Sequence, residues 1–367
     1  MALTSNAGPL RVALVVLEMP MGGLEKVVVS LANELDRRGV RVKVVVAEKG
    51  DTTLLGELSP TISRSVLTGP LPVRMRELRC ATAGCVTHLH IWGGKTRPPL
   101  RFAASGPVVA TYHNSYTRSR LMDRVDVLSS RRIRRVIAVS DYVRDYCLGV
   151  GLRSDRLTVI HNGVRPFEQE RPDPIEGTHC LAVARLVPQK DYVTMLAGVA
   201  HARDLGADID LSIAGAAEDT AYESALRRTE ASLGIGDRVT WLGQLTSGDA
   251  VLAARRRASV FLTTSRWEGF SVSVIEAMAA GQAIVASDIP PHREALGDAA
   301  AYFDPGDAEG LGQLLAKIAD DGPWRAELGR RAFARSSAFS LDTCVTEHLR
   351  LYNEVLAESG TRKGKTR

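Results

Sequence analysis

Short apolar, β-branched runs alternate with longer amphipathic stretches along almost the whole chain. A short apolar run reads as a strand buried on both faces, and apolar positions three and four apart read as a helix. The first run covers residues 11–17. A loop at 18–23 follows, then a helix over 24–38 stopped by Gly39, then a strand at 40–47. Strand, helix and strand in that order form a βαβ unit. Residues 50–84 are harder to read, with turns about Pro60, Gly69, Pro70 and Pro72 and a short helix near 74–83. Strands resume at 86–91, 107–111, 136–139 and 157–160, and Ser140 caps a helix over 141–148 that Gly149 stops.

Residues 165–177 are rich in proline and acid and read as a linker. The alternation then restarts. Strands are expected at 178–184, 209–214, 239–242, 258–263 and 282–287, with helices at 193–205, 222–233, 249–257 and 271–280; Pro290 and Pro291 open a turn. Helices near 308–320 and 324–336 precede a final amphipathic helix over 341–356, capped by Ser340. Repeated strand–helix alternation in two halves predicts an α/β chain of two doubly wound domains. The expected division is 1–165, 166–340, a helix at 341–357 crossing back to the first domain, and a basic disordered tail at 358–367.

Composition narrows the class. The chain has 367 residues, 45% apolar and 24% charged, which suits two globular domains with cores of their own. Its five cysteines are scattered and odd in number, so no disulfide framework is implied and a reducing cytosol fits. The run 12–17 is too short for the core of an export signal, and no stretch approaches the ~20 apolar residues of a spanning helix. The net charge of +5 favours anionic partners without choosing among nucleotide, phospholipid surface and nucleic acid.

The strongest candidate chemistry lies where the strand at 258–263 meets the next helix. Glu268 sits in the loop and Glu276 on the helix. A helix N-terminus presents unpaired N–H groups that suit phosphate, and Gly269 lets the backbone approach a ligand closely. Carboxylates beside such a site are placed to accept from hydroxyls. Phosphate and hydroxyls together describe a nucleotide sugar; an exposed loop acid and a solvated helix acid describe the same spacing equally well. Arg185 and Lys190, close together in one loop at a strand end, can both reach one diphosphate, the first as a planar fork and the second as a point charge.

The run Glu268-Gly269-Phe270-Ser271-Val272-Ser273-Val274-Ile275-Glu276-Ala277-Met278-Ala279 resembles the E-x7-E element of the retaining GT-B glycosyltransferases of family 4, the glycosyl transferases group 1, with Ser271 where that family has glycine. The segment Ala184-Arg185-Leu186-Val187-Pro188-Gln189-Lys190-Asp191 resembles the family's G-R-L-x-x-x-K-D, with Ala184 for the glycine. Thr111-Tyr112-His113 matches T-x-H, His161-Asn162-Gly163-Val164 resembles P-N-G-V, and Trp241-Leu242-Gly243-Gln244 resembles F-L-G. Gly22 and Gly23 match the N-terminal glycine loop.

The resemblance covers nearly the whole chain and implies a GT-B fold, two facing Rossmann-like domains with the active site in the cleft between them. The implied reaction is retaining transfer of a hexose or amino-hexose from a nucleotide diphosphate sugar, UDP-sugar first, to a hydroxyl of a glycan, lipid-linked sugar or natural product such as an aminocyclitol. Glu268, Arg185, Lys190 and His113 take the catalytic roles it implies. Gly22, Gly23, Gly243, Gly269, Phe270, Ser271, Val272 and Glu276 fall at donor-binding positions. Neither a metal nor another cofactor is expected. Cytoplasmic residence is implied, with peripheral contact at the inner face of a membrane left open.

Other readings fit some of these residues. A glycosidase also uses two carboxylates but has no need of the Arg185 and Lys190 pair. A nucleotide-sugar 2-epimerase shares the fold, and a non-catalytic nucleotide-binding module would bind without turnover. Cys80, Cys85, His88 and His90 invite a zinc site, but along a strand at 86–91 Cys85 points away from both histidines. The arginines between Arg118 and Arg135 read as a solvated basic face or a surface for an anionic acceptor or membrane. Few aromatics interleave with them, which disfavours nucleic acid.

Overall fold

The computed structural model describes residues 9–91, 98–115, 120–165 and 177–364. The chain forms two compact units, one of residues 1–163 with 341–367 and one of 164–340. Each is built on a parallel sheet with helices between successive strands.

The first unit carries seven strands: β1 (Arg11–Val16), β2 (Arg41–Val46), β3 (Ser63–Val66), β4 (Val86–Ile91), β5 (Val108–Tyr112), β6 (Ile133–Ala138) and β7 (Leu157–Val159). Their order is β3-β2-β1-β4-β5-β6-β7. The chain leaves β1 toward one edge and returns to β4 on its other side, so β1 and β4 flank the point where strand order reverses. Open α/β sheets bind ligands at such a point, beyond the strand C-termini. The strands are β-branched because both faces are covered: Val12, Leu14 and Val44 are fully buried.

The final helix, Leu341–Gly364, belongs to this unit. Val345, Tyr352 and Val355 join Val12, Leu14 and Val44 in one core, and Arg38 Nη2 donates to Asp342 Oδ1 at 2.6 Å. The helix is longer than the expected 341–357, and the tail expected to be disordered at 358–367 begins as helix; only 365–367 lie outside the described residues. Arg135 explains part of the extension, since its guanidinium pairs with Glu358.

The second unit carries β8 (Thr178–Val183), β9 (Ile209–Ala214), β10 (Val239–Gly243), β11 (Val260–Thr263), β12 (Ala283–Ser287) and β13 (Ala301–Phe303), in the order β10-β9-β8-β11-β12-β13. Strand order reverses between β8 and β11, which are hydrogen-bonded neighbours. Val260, Leu262, Leu211 and Leu196 pack in its core. Gly215, after β9, donates from its N–H to the Gly243 carbonyl at 2.8 Å. A Cβ on Gly215 would collide with the backbone carbonyl oxygen of Ala184. Gly215→Ala is therefore expected to cost about 1–3 kcal/mol, since backbone must move to accommodate it. Urea unfolding of the variant checks this, and an unchanged midpoint would contradict the close approach.

Several elements differ from the expectation. Strands β3 and β13 are short and carry polar residues or alanine, which hid them. The helix at 141–148 runs on through Gly149 to Val150, and its stop is Gly151 at φ +99°. Pro290 and Pro291 open a helix, Pro290–Leu296, because proline at a first helical turn has no N–H to lose. The linker residues 166–176 and Arg118 lie outside the described residues. No described helix is long and apolar enough to cross a membrane.

Candidate active site

In the second unit two loops meet at the reversal point. The loop after β8 closes in a single 3-10 turn, Pro188–Lys190, and then Asp191 takes a left-handed backbone, φ 49°, which no other described non-glycine residue does. Its buried carboxylate accepts from Thr194 Oγ1 at 2.8 Å and from Arg266 Nε at 3.0 Å. The loop after β11 is laced to it. Thr264 Oγ1 donates to the Lys190 carbonyl at 2.7 Å, Arg266 N–H to the Gln189 carbonyl at 2.9 Å, and Gln189 Nε2 to the Trp267 carbonyl at 2.6 Å. A left-handed aspartate is unfavourable by itself and persists where surrounding bonds over-determine it.

This lacing brings Lys190 and Glu268 into direct contact as an ion pair. Glu268 is 6% exposed, so it is not the solvated loop acid its spacing also allowed. Ser265 Oγ donates to the same carboxylate oxygen at 2.7 Å. Burial pushes the Glu268 carboxyl up, but the Lys190 ammonium, the field of His292 and the two side-chain hydrogen bonds together outweigh it and hold it below the ordinary value. His292 is itself buried. Its Nδ1 faces the Ser287 carbonyl at 2.8 Å, and burial holds its imidazole below the usual range.

Glu276 is held differently. Arg255, 2% exposed, donates from Nη2 to Glu276 Oε2 at 2.7 Å and to the Ser273 carbonyl at 3.2 Å, while its Nη1 donates to Gln282 at 3.2 Å. The buried arginine braces the carboxylate against the first turn of its own helix, Val272–Ala279. Ser271 is the N-cap of that helix without a capping side-chain bond; its Oγ lies 3.2 Å from Ser273 Oγ, where either can donate. Gly269 and Phe270 form the turn before it, with Phe270 buried against Phe339 at 5.2 Å between ring centroids. A small cavity at the ends of β8 and β11 is lined by Ala184, Lys190, Thr264, Ser265 and Ser273 among others.

Arg185 is not drawn into this cluster. Its half-exposed guanidinium turns to Glu218. Gly243, at φ +63°, ends β10. Among the described residues nothing occupies the space a Cβ on Gly243 or on Gly23 would take.

In the first unit Gly22 is the extended N-cap of the helix Gly23–Arg37, which Gly23 opens. His113 follows β5. Its Nε2 lies 2.9 Å from Nδ1 of His90 on β4, and burial with the neighbouring His348 pushes its imidazole down to about 3, so it is neutral at working pH. His88 spends both ring nitrogens, on Tyr352 Oη at 2.7 Å and Thr111 Oγ1 at 2.6 Å. Cys80 is exposed and Cys85 buried. Among the described residues no group of three or more His, Cys, Asp or Glu is arranged to hold a metal ion. The aspartate pair Asp208 and Asp210 has the spacing some glycosyl-transfer sites use for a metal. Both face Arg238 at the start of β9, the end of the sheet away from the strand C-termini.

Asp191, Ser265, Arg255, His292 and His90 were not assigned roles from sequence. Asp191 stood in a matched motif with no hint of its backbone, Ser265 lies in the loop just before Glu268, and the others lie in ordinary helix or strand patterns. Only the fold reveals what they face.

Residues 168–335 match the family described as Glycosyl transferases group 1, and residues 21–166 match Glycosyltransferase Family 4. The chain is 31% identical over 284 residues to a phosphatidyl-myo-inositol mannosyltransferase of Mycolicibacterium smegmatis, covering 74% of this chain and 71% of that protein. It is 26% identical to the protein of the same name from Mycobacterium leprae, over 93% of this chain and 95% of the other. A GDP-mannose:cellobiosyl-diphosphopolyprenol alpha-mannosyltransferase of Xanthomonas oryzae is 28% identical over 74% of this chain and 76% of its own length. Among solved structures, a glycosyltransferase from Rickettsia africae superposes with a TM-score of 0.79 at 17% identity, over 95% of this chain and 99% of that one. Anabaena HepE, solved with UDP and glucose, does so with 0.79 at 18% identity, over 93% and 99%. At these identities the structural likeness speaks to the fold.

Proposed function

Since the chain belongs to glycosyltransferase family 4, the group 1 glycosyl transferases, we propose that it moves a hexose, with retention of anomeric configuration, from a nucleoside diphosphate sugar to an acceptor hydroxyl. The observation that carries this reading is the buried Lys190–Glu268 pair where strand order reverses between β8 and β11. A cation and a hydroxyl-accepting carboxylate stand together at the place where α/β folds bind nucleotides.

In this reading negative charge builds on the departing diphosphate as the sugar becomes oxocarbenium-like. Lys190 and the N-terminal amides of the helix Val272–Ala279 stabilise that charge, and Arg185 leaves Glu218 to join them. Stabilisation where charge develops is commonly the largest catalytic contribution. Glu268 accepts from hydroxyls of the donor sugar, and Glu276, steadied by Arg255, from those of the ribose. Gly243 and Gly269 let backbone approach the nucleotide, with Phe270, Ser271 and Val272 shaping the turn. Gly22, Gly23 and His113 keep the donor-binding and catalytic roles that the family resemblance implies. The attacking hydroxyl enters on the face the diphosphate leaves, and the diphosphate oxygen takes its proton. Cations and amides supply the charge stabilisation a metal would give, so no metal is required.

For the donor, GDP-mannose precedes the UDP-sugars expected from sequence, because the relatives described above are named as mannosyltransferases. For the acceptor, an inositol-containing or polyprenyl-linked glycan hydroxyl precedes a free natural product on the same ground. The test is a thermal-shift panel of GDP-mannose, UDP-glucose, UDP-N-acetylglucosamine and ADP-glucose, followed by mass spectrometry and NMR of the product. One donor at a hundred times its Kd should stabilise the fold by about 2.7 kcal/mol. Nucleoside diphosphate should then be released only with acceptor present, and the new linkage should keep the donor's configuration. No shift with any donor, release at the same rate without acceptor, or an inverted linkage would each reject the proposal.

A further inference from the structure

His113 is held by a residue with no assigned role. His90 lies on β4 beside β5, 2% exposed, with its ring stacked on that of His113 at 5.2 Å between centroids. Its Nδ1 and the Nε2 of His113 are 2.9 Å apart, so one of the two carries the shared proton. The other nitrogen of His90, Nε2, is buried and has no hydrogen-bond partner among the described residues.

That orphan decides the direction of the bond. A neutral imidazole carries one proton. If His113 donated, the proton of His90 would sit on Nε2 as a buried N–H with nothing to receive it. Such orphaned donors are rare in proteins and cost about 1–3 kcal/mol. With its proton on Nδ1, His90 donates to His113 and leaves only a lone pair at Nε2. His113 Nε2 is then the acceptor, and the proton of His113 must be on Nδ1. Burial and neighbouring imidazoles keep both rings neutral, so a doubly protonated ring does not intervene. The adjacent histidine cannot take over the role. His88, at 4.3 Å between centroids, has both nitrogens committed to Tyr352 and Thr111.

We propose that His90 is a positioning residue that fixes His113 as its Nδ1–H tautomer, so that His113 meets a substrate oxygen as a hydrogen-bond donor and not as a proton acceptor. The second clause rests on the function proposed above; the first does not.

The experiment uses the full chain labelled with 15N and a long-range 1H–15N correlation, which reads which ring nitrogen is protonated. The expected spectrum has His113 protonated at Nδ1 with a bare Nε2. His90→Ala should let His113 move to the Nε2–H form and lower kcat at least ~10-fold, with the KM for donor little changed. His90→Asn, whose amide N–H reaches from the position of Nδ1, should restore both the tautomer and most of the rate. Nε2–H on His113 in the unaltered protein overturns the proposal, and so does a tautomer that His90→Ala leaves in place. The tautomer is read without turnover. A chain with the expected spectrum that transfers no sugar counts against the proposed function and leaves the His90–His113 assignment standing.

Discussion

Replacing Lys190 with methionine lowers kcat/KM by about a thousandfold, the scale seen when a preorganised group facing developing negative charge is removed. The same change destabilises the second unit, because Glu268 is left buried beside Ser265 without its cation. Breaking a buried pair from one side costs about 3–5 kcal/mol. The two effects separate by pH. In the unaltered protein the Glu268 carboxyl titrates below its ordinary value, so its contribution to stability is present above pH 4.5 and lost as the pH falls through the lowered value. Without Lys190 the burial contribution dominates and the carboxyl titrates above its ordinary value. Stability from this group is then present at low pH and lost as the pH rises. Between pH 5 and pH 8 this group should therefore leave the parent's urea midpoint unchanged and lower that of the variant. The double variant Lys190→Met with Glu268→Gln should be more stable than the single, since no orphaned charge remains. Additive losses in the double variant would mean that the two side chains do not act as a pair.

Acidification to pH 5.5 destabilises the first unit more than the second, where burial lowers only His179 and His292 among the described residues. Burial is the foremost cause lowering His88, His90, His113 and His348, with His113 at about 3 and His348 at about 4. Each is neutral when folded and binds a proton near pH 6.5 when unfolded. A base lowered on folding contributes stability in full above its unfolded pKa and loses it as the pH falls from there toward the folded value. Each pH unit below 6.5 costs about 1.4 kcal/mol per group, so four groups lose on the order of 5 kcal/mol between pH 7.5 and pH 5.5. Hydrogen exchange of amides in β4 and β5 against those in β11 and β12 resolves the units separately. Equal loss of protection in both would contradict the assignment of the acid sensitivity to this cluster. His348→Phe should reduce the slope by roughly one proton, and lose the 2.8 Å bond from Nδ1 to the Cys344 carbonyl.

Both sheets were largely legible because their central strands are buried on both faces and so read as unbroken apolar runs. Val12, Leu14, Val260 and Leu262 show the effect. Edge strands were not: Ser63–Val66 offers polar and arginine side chains to solvent, and Ala301–Phe303 is only one turn of pattern long. Glycine stops were legible to within a turn of helix, as Gly149 against Gly151 illustrates. At the site, Lys190 and Glu268 were legible as motif members, and their contact emerges from hydrogen bonds between two loops that lie far apart in sequence. Arg185 carried the same motif weight, yet its length and exposure let it settle on Glu218. Arg255 shows the limit most clearly. An arginine on a helix with polar neighbours reads as solvated, and only the packed fold puts Phe261 and Gln282 around it.

The last helix bears on how the chain is made. Residues 1–163 contain every strand of the first sheet, but Val345, Tyr352 and Val355, all fully covered in its core, are made only after the whole second unit. Residues 164–340 are uninterrupted and can mature on the ribosome as soon as they emerge, since domains fold as units during translation. The part made first is thus completed only after the part made second, its apolar seam against the missing helix open while residues 164–340 are already finished.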